Sequence, residues 1–428
     1  MLNLYHQTVR ENLFCGTFGL ERETLRVTDD GYMAQSPHPF NNDEHIVKDF
    51  CENQAEINTG VHESAGGVIE ELMQQTERLY RAIEDRGELL WMFSNPPYIR
   101  SAQDIPVARY EGEQRGKQSY RMYLAEKYGR YKMTLSGIHV NYSFGDELLQ
   151  ADFALSDEND FTEYKNRVYL ELAQSLAEYG WIISLLFAAS PLLDGSFRNP
   201  GRLGRDDFDG DASVRCAFGG YWNSFTPVLD YDSILGYAES IQKYIDNGTL
   251  DSVSELYYPV RLKPRGSNRL NALVQNGVNH IELRNVDLNP FAPAGIDERD
   301  LKFIELLMIY LSCTPTRPLS QQAQYFAAQN FKAAARFDID SETIRLSTGE
   351  TASVREAGLT LLRKMQKLFD AELFTEQERR NADGILAFQR NKLTGQGARY
   401  ADMVLESFGG GFVANGLDYL KKTRFSTY

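Results

Sequence analysis

Cysteine is scarce in this chain: four residues in 428 (Cys15, Cys51, Cys216 and Cys313), with no CxxC pair and no zinc-ligand spacing. That pattern argues against a disulfide framework or a thiolate metal site and fits scattered reduced thiols in a cytoplasmic protein. Long apolar runs are also lacking. The longest, Trp181 to Ala189, is too short to span a bilayer, and the N-terminal Met-Leu-Asn-Leu-Tyr-His-Gln has neither the basic nor the apolar region of a signal peptide. The chain therefore reads as soluble. Positive charge is in deficit: 45 Lys and Arg face 60 Asp and Glu, a formal net charge of -15. Such a balance argues against nucleic acid or an anionic membrane as partner, and an anionic substrate would need local arginines or metal ions to approach. The usual phosphate cradles are missing too. There is no GxxxxGK[ST], and Gly409-Gly410-Gly411 has no strand before it and no Lys-Ser/Thr after it. A bound nucleotide would have to be held by metal ions and side chains.

What is present is an unusual set of polar strands. Gly19-Leu-Glu-Arg-Glu-Thr-Leu-Arg runs from Phe18 to Val27 into the turn signal Asp29-Asp30-Gly31, which reads as a strand entering a hairpin. Alternation puts Glu21 and Glu23 on one face, roughly 6.5–7 Å apart along the strand. Two such carboxylates repel unless a cation sits between them, and Mg²⁺ takes oxygen ligands while leaving positions for water and phosphate. The same residues also fit a solvated edge strand in which Arg22 and Arg26 balance the charge.

Ile46 to Ile57 reads as a further strand carrying Asp49, Glu52 and Glu56. Met133 to Phe144 reads as another, with Ile138, Val140 and Tyr142 on one face and Gly137, His139 and Asn141 on the other. In that reading Met133 shares a face with His139. Tyr257 to Lys263 is expected as a strand, as is His280 to Val286, where Glu282 and Arg284 share a face backed by Ile281 and Leu283. Several strands of this kind point to a sheet lined with carboxylates, with the basic group Arg261, Lys263, Arg265 and Arg269 beside it to neutralise a polyphosphate. Helical spacing marks Gly66 to Glu88, Phe161 to Phe187 and Leu235 to Asn247. Leu193 to Gly220 is rich in Gly, Asp and Arg and is expected as a loop. Its Asp207, Asp209 and Asp211 begin like a calcium loop, but Ala212 and Phe218 stand where the glycine and terminal glutamate belong. From Glu298 onward the pattern is mostly helical, apart from Asp338 to Thr351. With no repeats or low-complexity linker, one domain over 1–428 is expected: a sheet-based core over about 1–297 and a helical part over about 298–428.

Gly19-Leu-Glu-Arg-Glu-Thr-Leu-Arg, Leu135-Ser-Gly-Ile-His-Val-Asn-Tyr and Ile281-Glu-Leu-Arg-Asn-Val-Asp-Leu-Asn-Pro-Phe resemble bacterial glutamate–cysteine ligases, and the ligase half of fused glutathione-making enzymes, in order from Gly16 to Asp297. The resemblance implies an α+β, glutamine-synthetase-like fold: an antiparallel sheet forming a funnel, with helices outside. It implies ATP, L-glutamate and L-cysteine as substrates, Mg²⁺ or Mn²⁺ as cofactor, and a γ-glutamyl phosphate intermediate. By position it implies Glu21, Glu23, Asp49, Glu56, His139 and Glu282 at the metal sites, with Glu21, Glu23 and Arg284 catalytic. It also implies Tyr120, Arg121, Met133, Leu135, Arg215, Tyr221 and Tyr257 around the amino acids, and Arg261, Lys263 and Arg284 around the nucleotide. Met133 departs from the glutamine common at its place. No second synthetase module follows before Tyr428, so the dipeptide and not glutathione is the expected product. Two rivals share these residues: the same activation with another small amine, and a binding protein without turnover.

Overall fold

A computed structural model describes residues 1–424. The strands are β1 (Thr17–Thr28), β2 (Ile46–Lys48), β3 (Gln54–Asn58), β4 (Glu88–Trp91), β5 (Gly137–Ser143), β6 (Leu193–Asp194), β7 (Asp206–Asp207), β8 (Val260–Lys263), β9 (His280–Asp287), β10 (Thr343–Arg345) and β11 (Thr351–Ser353). The helices are α1 (Gln7–Glu11), α2 (Ala65–Ile83), α3 (Arg115–Tyr128), α4 (Asp146–Phe153), α5 (Phe161–Tyr179), α6 (Trp181–Phe187) and α7 (Ile234–Asp246). After them come α8 (Leu270–Asn276), α9 (Glu298–Ser312), α10 (Gln321–Ala334), α11 (Val354–Phe369), α12 (Glu376–Thr394), α13 (Tyr400–Phe408) and α14 (Phe412–Arg424). Among the described residues no helix is long and apolar enough to cross a membrane.

Seven strands form one antiparallel sheet in the order β2-β3-β1-β5-β9-β8, with β4 pairing the end of β1. β1 is central, so the edge-strand alternative for Glu21 and Glu23 falls. It pairs β3 on one side; on the other, its first half pairs β5 and its end pairs β4. The back face carries Leu20, Ile57, Ile138, Val140, Ile281, Leu283 and Leu262, all buried in the main core. Strong alternation drives this face against α2, α5, α6 and α9, because each apolar side chain buried there contributes roughly 1.5–3 kcal/mol. Arg22 also points back. It is fully buried, donates to Thr76 Oγ1 at 3.2 Å and abuts Met92 Sδ, and burial lowers its pKa to about 10. Arg26 is buried too, paired with Glu88 at 2.6 Å.

Four sequence expectations need correction. Ile46 to Ile57 is a hairpin, β2 and β3, and not one strand. β5 starts only at Gly137. Met133 lies in a 3-10 turn before it (Lys132–Thr134), so strand parity does not place its side chain. The Phe161–Phe187 helix is broken at Gly180 into α5 and α6. β8 starts at Val260, leaving Tyr257 in the preceding segment. The helical C-terminal part holds as α9 to α14, with the β10–β11 hairpin covering much of the exempted stretch.

Candidate functional site

The front face collects the polar residues, and the register says why. Glu23 lies opposite Glu56, Glu21 opposite His139, Asn141 opposite Glu282, and Glu282 opposite Arg261. Residues directly paired across antiparallel strands share a face, so five strands each deliver a polar side chain to one surface. The β2–β3 turn brings Asp49 to the same face as Glu56, because the Asp49 N–H donates to the carbonyl of Gln54, which has the parity of Glu56. On β9 the register shifts beside His139: Ile138 pairs Val286 while Val140 pairs Leu283. Arg284 and Asn285 therefore bulge opposite one residue, a device that re-aims side chains next to sites.

Around His139 the distances are short. Glu21 Oε2 lies 3.0 Å from His139 Nδ1, and Asn141 donates to Glu21 Oε1 at 3.0 Å. Glu23 Oε1 lies 3.6 Å from His139 Nε2, and the Gly137 N–H donates to Glu23 Oε2 at 2.7 Å. Glu21, His139 and Glu282 each offer a ligand atom, all within 4.8 Å of one another, and His139 Nε2 is buried without a hydrogen-bond partner. Burial, reinforced by Arg284, lowers the His139 pKa to about 4, so the ring is neutral, as a metal ligand must be. Two carboxylates and an imidazole fit a divalent cation such as Mg²⁺ or Mn²⁺.

The carboxylates divide by their neighbours. Burial works to raise Glu282, but Arg284, Arg261 and Lys263 outweigh it and hold the group well below the usual range. Their nitrogens lie 3.0, 3.5 and 3.4 Å from its oxygens. Burial also opposes ionisation of Glu21, and the His139 hydrogen bond prevails. Glu23 is pushed up to about 7 by burial and by Asp49. Burial raises Asp49, and burial with Asp49, Glu21 and Glu23 raises Glu56. This second group repels itself in the absence of a cation.

Beside it runs a cavity whose lining includes Arg215, Tyr221, Trp222, Tyr257, Pro259 and Arg284. The Tyr221 and Tyr257 rings lie 4.4 Å apart, and burial raises both phenols far above their usual pKa, so they remain donors. The Arg215 guanidinium crosses Gly137 so closely that a Cβ there would sit 2.3 Å from its Cζ. Arg215 Nη1 donates to the carbonyl of Arg284. Three expected amino-acid residues thus line one cavity together with Arg284. Tyr120, Arg121, Met133 and Leu135 do not line it. Met133 packs in the buried cluster that holds Tyr257, with Tyr120 and Tyr221 against it; Leu135 joins Leu193 and Val214 instead. Arg121 donates to the carbonyls of Asp49 and Lys48, and its charge acts on Asp49 and Glu56. Glu52 serves Lys48 and the Arg109 N–H, away from the triad. Arg265 and Arg269 are exposed.

Alternation places Asn141 on the His139 face without assigning it a role, and sequence reasoning misses Trp222, Pro259 and Asp287 altogether. Buried Asp287 accepts from the Ala189 N–H and from the hydroxyls of Ser190 and Ser213, tying the loop before Arg215 to β9. The run Glu282-Leu-Arg-Asn-Val-Asp287, with polar residues continuing on an apolar strand, was the only signal available.

The family profile described as glutamate-cysteine ligase matches residues 1–247 and 222–334. The chain is 34% identical over 376 residues to the glutathione biosynthesis bifunctional protein GshAB of Listeria welshimeri, covering 84% of this chain and 48% of that protein. It is 30% identical over 389 residues to GshAB of Clostridium perfringens, covering 88% and 50%. It thus spans about half the length of these relatives. Among solved structures, glutamate–cysteine ligase from Francisella tularensis in complex with AMP matches with a TM-score of 0.83 at 22% identity, over 96% of this chain and 89% of that one. A bifunctional glutathione synthetase from Pasteurella multocida also matches at 0.83, with 25% identity, over 99% and 54%.

Proposed function

This chain belongs to the glutamate–cysteine ligase family, and on that premise we propose that it joins the γ-carboxylate of L-glutamate to the amine of L-cysteine at the expense of ATP. The observation that carries the reading is a junction: the cavity lined by Arg215, Tyr221 and Tyr257 ends on Arg284, whose guanidinium is held 3.0 Å from Glu282 of the triad. An amino-acid pocket and a phosphoryl site meet at one residue.

In the first step an oxygen of the γ-carboxylate attacks the terminal phosphorus of ATP, the bond to the bridging oxygen breaks, and ADP leaves. In the second, the neutral amine nitrogen attacks the acyl carbon of γ-glutamyl phosphate and inorganic phosphate departs, while the nitrogen loses a proton. Glu21, His139 and Glu282 would hold one divalent cation, with Glu23, Asp49 and Glu56 as a second carboxylate group, and the bound cations would supply neutralising charge to the two anions. Arg284 stabilises charge on the phosphoryl group in flight. Burial opposes its charge, but Glu282, with Glu23 and Glu21 nearby, keeps the guanidinium ionised at every working pH. Arg261 and Lys263 extend the positive wall along β8 toward the nucleotide. Tyr221, Tyr257 and Arg215 orient the acceptor and its carboxylate, with Met133 softening the apolar wall behind the tyrosines. No protein nucleophile enters the sequence.

Incubating the chain with ATP, Mg²⁺ and L-glutamate against a panel of amines, with products read by mass spectrometry, tests the reading. γ-Glutamylcysteine should be the main product, and L-2-aminobutyrate should be used appreciably, discriminated against by roughly 1–3 kcal/mol. Efficient transfer only to an amine that lacks a carboxylate would remove the cysteine assignment. ADP release with no amide product from any amine would remove the ligase reading.

A further inference from the structure

We infer that Arg336 is a positioning residue for the amino-acid cavity, acting through the loop that carries Arg215 and Tyr221; the kinetic consequence rests on the ligase reading above. The loop is closed on itself by short bonds. The Tyr221 N–H donates to the Arg215 carbonyl at 2.7 Å, the Gly220 N–H to Ala217 at 2.9 Å, and Trp222 Nε1 to Cys216 at 3.0 Å. Gly220 is required for this closure, since a Cβ there would meet the Arg215 carbonyl oxygen at 2.0 Å. So the unit moves as one piece, and its place is set where it is anchored.

One anchor is Asp287 on β9, which holds Ser190 and Ser213; the other lies in the C-terminal part, directly after α10. The N–H groups of Ala212 and Ser213 both donate to the Ala335 carbonyl, at 2.8 and 3.0 Å, and the Phe337 N–H donates to Gly210 at 2.9 Å. These bonds lay residues 335–337 antiparallel to 210–213, with Asp211 bridging Arg336. The Arg336 guanidinium secures the contact by donating to Asp211 Oδ1 at 2.5 Å and to the Asp209 carbonyl at 3.2 Å. From behind, α13 holds the same segment, since Arg399 donates to the Phe337 carbonyl at 2.9 Å. From Ser213 the path to the site is two residues long: Arg215 crosses Gly137 and donates to the Arg284 carbonyl. Arg336 is neither among the residues lining the cavity nor a member of the Glu21–His139–Glu282 triad, so its influence runs through the loop.

Arg336→Leu, Arg336→Lys and Asp211→Asn, compared with the parent chain, give the test. Arg336→Leu should raise the KM of the amino acid that fills the Arg215–Tyr221–Tyr257 cavity about 10-fold. The KM for ATP should change by less than about 2-fold. Arg336→Lys should recover part of the loss, and Asp211→Asn combined with Arg336→Leu should cost no more than the worse single change, because both cut one link. Amide exchange read by mass spectrometry should speed up in peptides covering 210–222 and not in β1 or β9. If exchange there is unchanged, or if all three KM values and the melting temperature move together, Arg336 is an ordinary structural residue and the inference fails. Should the parent turn over none of the amines, the ligase reading falls instead, and the exchange experiment still decides whether Arg336 sets the loop.

Discussion

Arg284 occupies the position where the two halves of the site meet, so its loss should be felt in the chemical step more than in binding. Glu282 keeps Arg261 at 3.5 Å and Lys263 at 3.4 Å when Arg284 is removed, so the buried carboxylate is not left alone and the fold should survive. Arg284→Ala is therefore expected to lower kcat by about 10²–10³ while raising the KM for ATP much less. Steady-state kinetics with varied ATP check this; unchanged kcat with weaker ATP binding would reduce Arg284 to a ground-state contact. Glu21 makes the complementary case. Among the described residues its oxygens meet His139 Nδ1 and Asn141 Nδ2, and in the proposed reaction its place in the triad is a ligand's. Glu21→Gln keeps the shape and should raise the Mn²⁺ concentration needed for half-maximal turnover while removing most of the activity. Unfolding of the metal-free variant should occur at or slightly below the parent's temperature, since, against burial, the His139 hydrogen bond holds Glu21 below its usual pKa and its charge is served in the folded chain. A variant with near-parental activity at limiting Mn²⁺ would detach Glu21 from the metal.

At the scale of elements, the alternation that reveals a strand also reveals its face, which is why Glu21 with Glu23, His139 with Asn141, and Glu282 with Arg284 can be paired from the sequence alone. What alternation cannot reveal is where a chain reverses or slips. Asp49 and Glu56 have opposite parity in the sequence and share a face only because the β2–β3 turn falls between them. Met133 fails for the same reason, since a 3-10 turn breaks the count before Gly137. The C-terminal helices were legible as helices, yet their docking was not, because it depends on isolated polar contacts. Asp300 on α9 shows this: it is buried and accepts from Gln389 at 2.8 Å and Lys392 at 3.1 Å on α12, and from the Tyr400 hydroxyl at 2.8 Å on α13. Asp300→Ala strands Lys392, which burial already drives below its usual pKa, and should cost about 3–5 kcal/mol by denaturant unfolding. The double change Asp300→Leu with Lys392→Met should recover most of that loss. A small cost for the single change would mean that the three helices hold together by apolar packing alone.

Across the whole molecule, 60 acidic residues against 45 basic ones make the fold most exposed to strain at high pH, and Glu305 concentrates the effect in one place. It lies half-buried on α9, and burial pushes it up to about 8, with only Lys302 acting to lower it. Lys302 is itself engaged with Glu298 at 2.6 Å. In the unfolded chain the same carboxyl titrates near 4.5. Between those values the folded state binds the proton that the unfolded state has lost, so stability falls as pH rises through the window and levels off above it. Glu305→Gln keeps the volume and removes the ionisation. Its melting temperature should match the parent's near pH 4.5, pull ahead steadily as the pH climbs to about 8, and hold a constant lead from there to pH 9. Tyr142 is held up mainly by burial and then by the Glu305 charge, so in the variant it should titrate somewhat earlier than in the parent. A lead that is the same at every pH would assign the gain to packing. A lead that shrinks with rising pH would mean that Glu305 is ionised and well served in the folded chain, and the alkaline sensitivity would then have to come from net charge spread over the surface.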